Sequence, residues 1–97
     1  MSAYCYIIQS QKLGNFYIGA CHNDLDERIA NHNNTYYGKS SFTSKTNDWK
    51  LFLAFTVTSF SHAIRLERKI KAMKSSKFIN NLKAFPELRM KIINETS

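Results

Sequence analysis

Proline occurs once and glycine three times, and beside 43% hydrophobic and 13% aromatic residues that scarcity excludes a disordered chain. No run approaches the roughly 18 apolar residues of a membrane span. The start, MSAYCYIIQSQK, lacks the basic segment and small-residue cleavage site of a secretory signal, so a cytoplasmic protein without membrane attachment is expected. Cysteine is limited to Cys5 and Cys21, which form no CxxC pair and no zinc-finger spacing. They are expected to stay reduced, although a hairpin of the first two strands would bring the thiols close. With 97 residues there is room for one small core, hence one domain over 1–97, and a large two-domain enzyme is excluded.

Acidic residues are also scarce, 7 against 14 Lys and Arg, for a net charge of +7. Much of the excess falls in RLERKIKAMKSSK, where Arg65, Arg68, Lys69, Lys71, Lys74 and Lys77 face Glu67 alone. A concentrated basic face of this kind attracts polyanions by counterion release. A solvated helix face is the plainer explanation of such a run taken alone.

Aromatic and β-branched residues over 3–9 and in FYIGA at 16–20 predict two strands joined by the turn QKLGN. Asp24, with Glu27 three residues on, predicts a capped helix running to about Asn33. Residues 34–50 show neither strand nor helix periodicity and predict a long loop, a length at which loops in small domains are often functional. LFLAFTVTSF from Leu51 predicts a third strand. Ser61 is the predicted cap of a helix to Met73 or Lys74, a short helix follows over about 77–84, and another begins with Pro86 in its first turn. The order β-β-α-β-α-α predicts an α+β fold, a small three-stranded antiparallel sheet flanked by helices.

On the first helix, at about 100° per residue, Leu25 and Ile29 define the inward stripe. Arg28 and His32 fall to one side of it, four apart and projecting together. On the second helix, Ala63, Leu66, Ile70 and Met73 form the stripe, and Glu67, its only acid, lies at the edge. Glu67 is open to two readings. It can pair with Lys71 one turn on, or it can hold a hard divalent cation of the kind bound by one or two carboxylates with water and phosphate oxygens.

Taken in order, Tyr4-Cys5-Tyr6, Tyr17-Ile18-Gly19, Arg28 with His32 one turn on, and Glu67 in a basic helix resemble the GIY-YIG nuclease family. DLDERIANHN and NDWKLF look most like its small stand-alone bacterial members. The resemblance covers about residues 3–80 and leaves a helical extension over 85–95. The family's first triplet departs here, with Tyr4 and Cys5 in place of glycine and isoleucine and only Tyr6 kept, as the stand-alone members commonly have it. An asparagine beyond the glutamate in some family nucleases has no clear match in Asn80 or Asn81, and its role is not carried over.

The resemblance implies a DNA endonuclease using one magnesium or manganese ion and no small-molecule cofactor. It implies that Tyr6, Tyr17, Arg28, His32 and Glu67 form the catalytic set, with Glu67 on the metal and Arg28 on the scissile phosphate. Tyr6 is the expected general base, helped or oriented by His32, with Tyr17 the alternative. A phenol of ordinary pKa about 10 needs such help at neutral pH. In the loop, Lys39, Lys45 and Lys50 interleave with Tyr36, Tyr37, Phe42 and Trp49, which suits phosphate contact and base stacking. For Trp49, covering the core is favoured. Lys39, Lys45, Lys71, Lys74 and Lys77 are the expected DNA contacts. A nucleic-acid-binding module that cleaves slowly or not at all is the second possibility, and a protein partner is the expected source of substrate specificity for a nuclease.

Overall fold

The computed structural model describes residues 2–22, 24–33 and 45–97. Three strands, β1 (Ala3–Ser10), β2 (Asn15–Cys21) and β3 (Lys50–Val57), form an antiparallel sheet in the order β2-β1-β3. Among the described residues four helices cover it: α1 (Leu25–Asn33), α2 (Phe60–Met73), α3 (Ser76–Ala84) and α4 (Pro86–Thr96). This is the expected α+β fold. Among the described residues no helix is long and apolar enough to cross a membrane. Lys39, Tyr36, Tyr37 and Phe42 lie outside the described residues.

Successive strand residues point to opposite faces, so β1 sends Ala3, Cys5 and Ile7 one way and Tyr6 and Ile8 the other. The first set packs with Ile18, Ala20, Phe55 and Val57 against Ala63, Leu66 and Ile70 of α2, Ile79 and Leu82 of α3, and Ile92 of α4. The second set joins Cys21 and Trp49 beneath Leu25 and Ile29 of α1. The sheet is therefore covered on both faces. Cys5 and Cys21 are both free and buried, and they belong to opposite faces, which keeps the thiols from pairing.

Two polar clamps tie distant segments together. At the β1–β2 turn, Gly14 takes φ 67° and its N–H donates to Ser10 O at 2.9 Å. Asp48 accepts from Ser10 Oγ at 2.5 Å, Thr46 Oγ1 at 2.7 Å and Lys12 N at 3.0 Å, ties that hold its carboxyl well below the ordinary range. These bonds anchor the segment that leads into β3. Between α2 and α4, His62 Nε2 lies 3.1 Å from Ile93 O and 3.0 Å from Thr96 Oγ1, and Arg65 Nε donates to Thr96 O at 2.6 Å. Both α2 side chains thereby pin the last turn of α4.

Four expectations change here. The third strand ends at Val57, and the cap of α2 is Ser59, whose Oγ accepts from His62 N at 3.1 Å; Phe60 is helical despite its strand preference. Met73, expected in the buried stripe, is 45% exposed as the last residue of α2, just before the left-handed turn at Lys74. The basic face also divides around the helix. Arg65 is committed to α4, Lys69 borders a groove with α4, and Lys71 and Lys74 turn toward β2.

Candidate active site

The site begins with a strand pairing. Tyr6 stands opposite Gly19 on β2 and Ala54 on β3, so small residues flank the phenol on both sides. A Cβ on Gly19 would lie 2.5 Å from Cζ and from the hydroxyl of Tyr6. Only a glycine leaves room for the ring in this position. Its hydroxyl meets His32 Nε2 at 2.8 Å, from the last turn of α1.

His32 is only 4% exposed and Tyr6 2%, so the pair is a buried one. His32 was expected to flank the inward stripe; the structure puts it within the stripe. The ring of Tyr17 approaches the imidazole with centroids 5.1 Å apart and Trp49 at 6.4 Å. Burial first, and the Arg28 guanidinium second, push the His32 pKa down to about 4. The imidazole is therefore neutral at pH 7, and with its proton on Nδ1 it accepts the Tyr6 hydroxyl. Arg28 itself is held by Nη2 donating to Ala20 O at 3.1 Å, one turn of α1 before His32. Its anchor is the backbone of β2, so the guanidinium is fixed beside the Tyr6–His32 pair.

Glu67 arrives from the opposite layer. α2 lies on the far face of the sheet, but β2 is an edge strand, and the glutamate reaches the same opening past that edge. Tyr6, Tyr17, Arg28, His32 and Glu67 line one cleft of about 340 Å³, with Gly19, Ala20 and Lys71 completing its wall. Glu67 is 20% exposed on its side chain, and Lys71 Nζ sits 3.1 Å from its Oε1. The same ammonium stands 5.8 Å from the centroid of the Tyr17 ring. The i,i+4 pair and the cleft position are thus both present.

Other candidates lie elsewhere. Lys74 borders a neighbouring cleft, Lys77 is exposed in the first turn of α3, and Lys45 is exposed near the start of the segment leading to β3. Asn80 Nδ2 donates to Ser76 O at 3.0 Å on the exposed side of α3. Trp49 is 2% exposed, which leaves no ring face for a nucleic-acid base. One residue escaped notice in the sequence. Asn33 clamps the Trp49 backbone in both directions, with Nδ2 to Trp49 O at 3.0 Å and Trp49 N to Oδ1 at 2.7 Å. That clamp fixes the end of α1, and with it His32, to the strand entering β3.

The family model of the GIY-YIG catalytic domain matches residues 2–82. The chain belongs to the GIY-YIG family. No curated protein and no solved structure matches it significantly. GIY-YIG nucleases generally depend on a divalent metal, so the donors of this GIY-YIG chain bear on what its cleft can hold. Among the described residues no group of three or more His, Cys, Asp or Glu side chains comes together. A zinc-type cage is therefore not built from them. One partly exposed carboxylate fits a hard cation that completes its shell with water and substrate phosphate oxygens.

Proposed function

We propose that this GIY-YIG protein is a cytoplasmic, magnesium- or manganese-dependent DNA endonuclease, selective for DNA structure and acting in repair or recombination, with a protein partner directing it to substrate. The observation that carries this is the convergence of five side chains from β1, β2, α1 and α2 on one cleft, with the Tyr6 hydroxyl on a neutral imidazole. Phosphodiester hydrolysis needs an activated water, a countercharge for the developing phosphorane and help for the leaving oxygen.

Each side chain has a place in that chemistry. Glu67 and the substrate phosphate would hold the metal, which supplies Lewis acidity beside the leaving oxygen. Arg28, fixed to Ala20 O, places a guanidinium where the phosphate enters and can accept it as a charge-assisted partner. Tyr6 takes the proton of the attacking water on its phenol oxygen while its own hydroxyl proton passes to His32 Nε2, and Tyr17 lines the same wall. His32 aligns that oxygen. With a pKa of about 4 the imidazole is a poor sink for a phenol proton in the free protein. An anionic phosphate on Arg28 offsets part of the charge that lowers it, so His32 becomes more basic as substrate binds.

A nucleic-acid-binding module that cleaves slowly or not at all is favoured by one observation, the Glu67–Lys71 pair, since that pair already satisfies the carboxylate. One substitution separates the two. Glu67→Gln keeps the side-chain size and removes the charge, so metal-dependent nicking of branched and linear DNAs should fall by orders of magnitude. Affinity for DNA in chelator should hold or rise. Equal cleavage by the two folded proteins would remove Glu67 from the metal, and absence of cleavage by the wild type on every substrate with either metal would favour the binding module.

A further inference from the structure

A second cleft, of about 260 Å³, opens on the other side of the β2 edge. Gly14 and Asn15 of the hairpin form one wall, and Lys71, Lys74, Ser75 and Ser76 form the other. Lys71 belongs to both clefts, so the two are separated by a single cationic side chain. We propose that this cleft is a phosphate subsite: it takes a backbone phosphate of the same DNA strand, next to the one held in the active-site cleft.

The two sides of Lys71 differ in sign. The active-site side carries Glu67, whereas the second cleft adds to Lys71 and Lys74 three uncharged polar side chains, Asn15, Ser75 and Ser76, beside Gly14 and an apolar floor, and none of its lining residues is acidic. Lys71 and Lys74 line an opening without a carboxylate, and Lys71, whose Nζ rests 3.1 Å from Glu67 Oε1 on the active-site side, can turn to an anion that enters it. Metal chemistry is not offered there. The start of α3 opens on the same place without an acid in its first turn, which adds to the positive potential but does not carry the assignment.

Lys74 is the less expected residue. It takes φ 48° and ψ 41°, the left-handed region that glycine or asparagine fills most readily at the end of a helix. A lysine there puts a flexible cation at the mouth of the cleft. A DNA strand bound with its scissile phosphate at Arg28 and Glu67 can pass over the β2 edge and bring its next phosphates toward Lys71 and Lys74. Phosphate contacts of this type fix register and orientation and carry no sequence information.

The subsite rests on the proposed function for its choice of ligand, and its test runs in chelator so that cleavage plays no part. Binding of a short labelled duplex is followed by fluorescence anisotropy across a range of salt. Lys74→Gln should lower affinity several-fold and reduce the slope of log affinity against log salt by about 0.9, the loss of one phosphate contact on duplex DNA. Lys91→Gln, the same change of charge on α4, should alter neither by a comparable amount. Lys74→Gly removes the same cation and relieves the left-handed backbone, so it should melt higher than wild type yet bind as weakly as Lys74→Gln.

A methylphosphonate placed at one phosphate at a time along the strand supplies the positional readout. At one position it should weaken the wild type and leave Lys74→Gln unaffected. Equal effects of Lys74→Gln and Lys91→Gln, or equal methylphosphonate profiles for wild type and Lys74→Gln, would overturn the subsite. Failure of the wild type to cleave any substrate would count against the nuclease, and these binding profiles would still decide the subsite.

Discussion

The two faces of the sheet are built to different specifications. Under α2, α3 and α4 lies an apolar layer of leucine, isoleucine, valine, alanine and phenylalanine, in which Cys5 is buried enough to push its thiol up to about 12. Under α1 the buried set is Tyr6, Ile8, Cys21 and Trp49, and the polar pair of Tyr6 with His32 runs through it. The larger apolar layer can supply most of the stability, because buried apolar area is the dominant favourable term in folding. The smaller layer positions hydroxyl, imidazole and guanidinium groups. Glu67 is the exception that joins them, a residue of the apolar layer's helix that reaches the other face at an open strand edge.

The largest effect should come from cutting the apolar layer. Leu66 is fully buried, and Leu66→Ala is expected to cost about 2–5 kcal/mol through lost transfer energy and the cavity left behind. Ile29, only half-buried over the second layer, should cost under about 2 kcal/mol on the same change. Denaturant unfolding of the two variants measures the difference, and equal losses would mean that α1 carries as much of the fold as α2.

A smaller but more specific effect is expected at Gly19. A methyl group there must displace the Tyr6 phenol, at a cost of about 1–3 kcal/mol for an overfilled site. The displacement also breaks the 2.8 Å bond to His32, so cleavage per folded molecule should drop further than stability does. Gly19→Ala with wild-type stability and activity would show that Tyr6 needs neither its position nor its partner.

Sequence pattern reached the layout of this molecule more fully than its details. Alternation in β1 and the capping pair Asp24 and Glu27 were legible, and Asp24 Oδ1 does accept from Glu27 N at 3.2 Å. So was the resemblance that selected the five residues now found on one cleft. What was missed depends on contacts between distant segments. Asn33 looks like a helix stop until Trp49 is beside it, and Asp48 looks like loop until Ser10 and Lys12 converge on it. His32 was legible and misjudged: seven residues after Leu25, it returns to within about 20° of that side chain on the helix. Its polarity argued for the surface, but Tyr6 supplies the partner that makes burial tolerable.

Burial of His32 has a consequence in pH. Its folded pKa of about 4 lies below the value near 6.5 expected when unfolded, so the unfolded chain binds the proton more readily between those limits. The contribution to stability is present above pH 6.5 and is lost as pH falls toward 4. His32→Gln should flatten that part of the stability profile while still offering the Tyr6 hydroxyl a hydrogen-bonding group. An unaltered pH profile in His32→Gln would assign the acid sensitivity to the carboxylates, Asp48 first among them.

The smallest expected change bears most directly on what joins the two faces. Lys71 and Glu67 form an exposed i,i+4 pair at 3.1 Å, worth well under about 1 kcal/mol, so Lys71→Gln should hardly alter unfolding. If Glu67 is a metal ligand, the lysine competes for its carboxylate, because an ammonium 3.1 Å from Oε1 offsets the negative charge that recruits a divalent cation and repels that cation. Removing the ammonium then tightens binding of manganese to the DNA-free protein by a few-fold, measured by calorimetry. The same substitution weakens DNA binding in chelator, since one phosphate partner is gone. The two affinities should therefore move in opposite directions in one variant of unchanged stability. If manganese affinity stays the same while DNA affinity falls, Lys71 serves the phosphate alone, and the carboxylate of Glu67 is not where the metal binds.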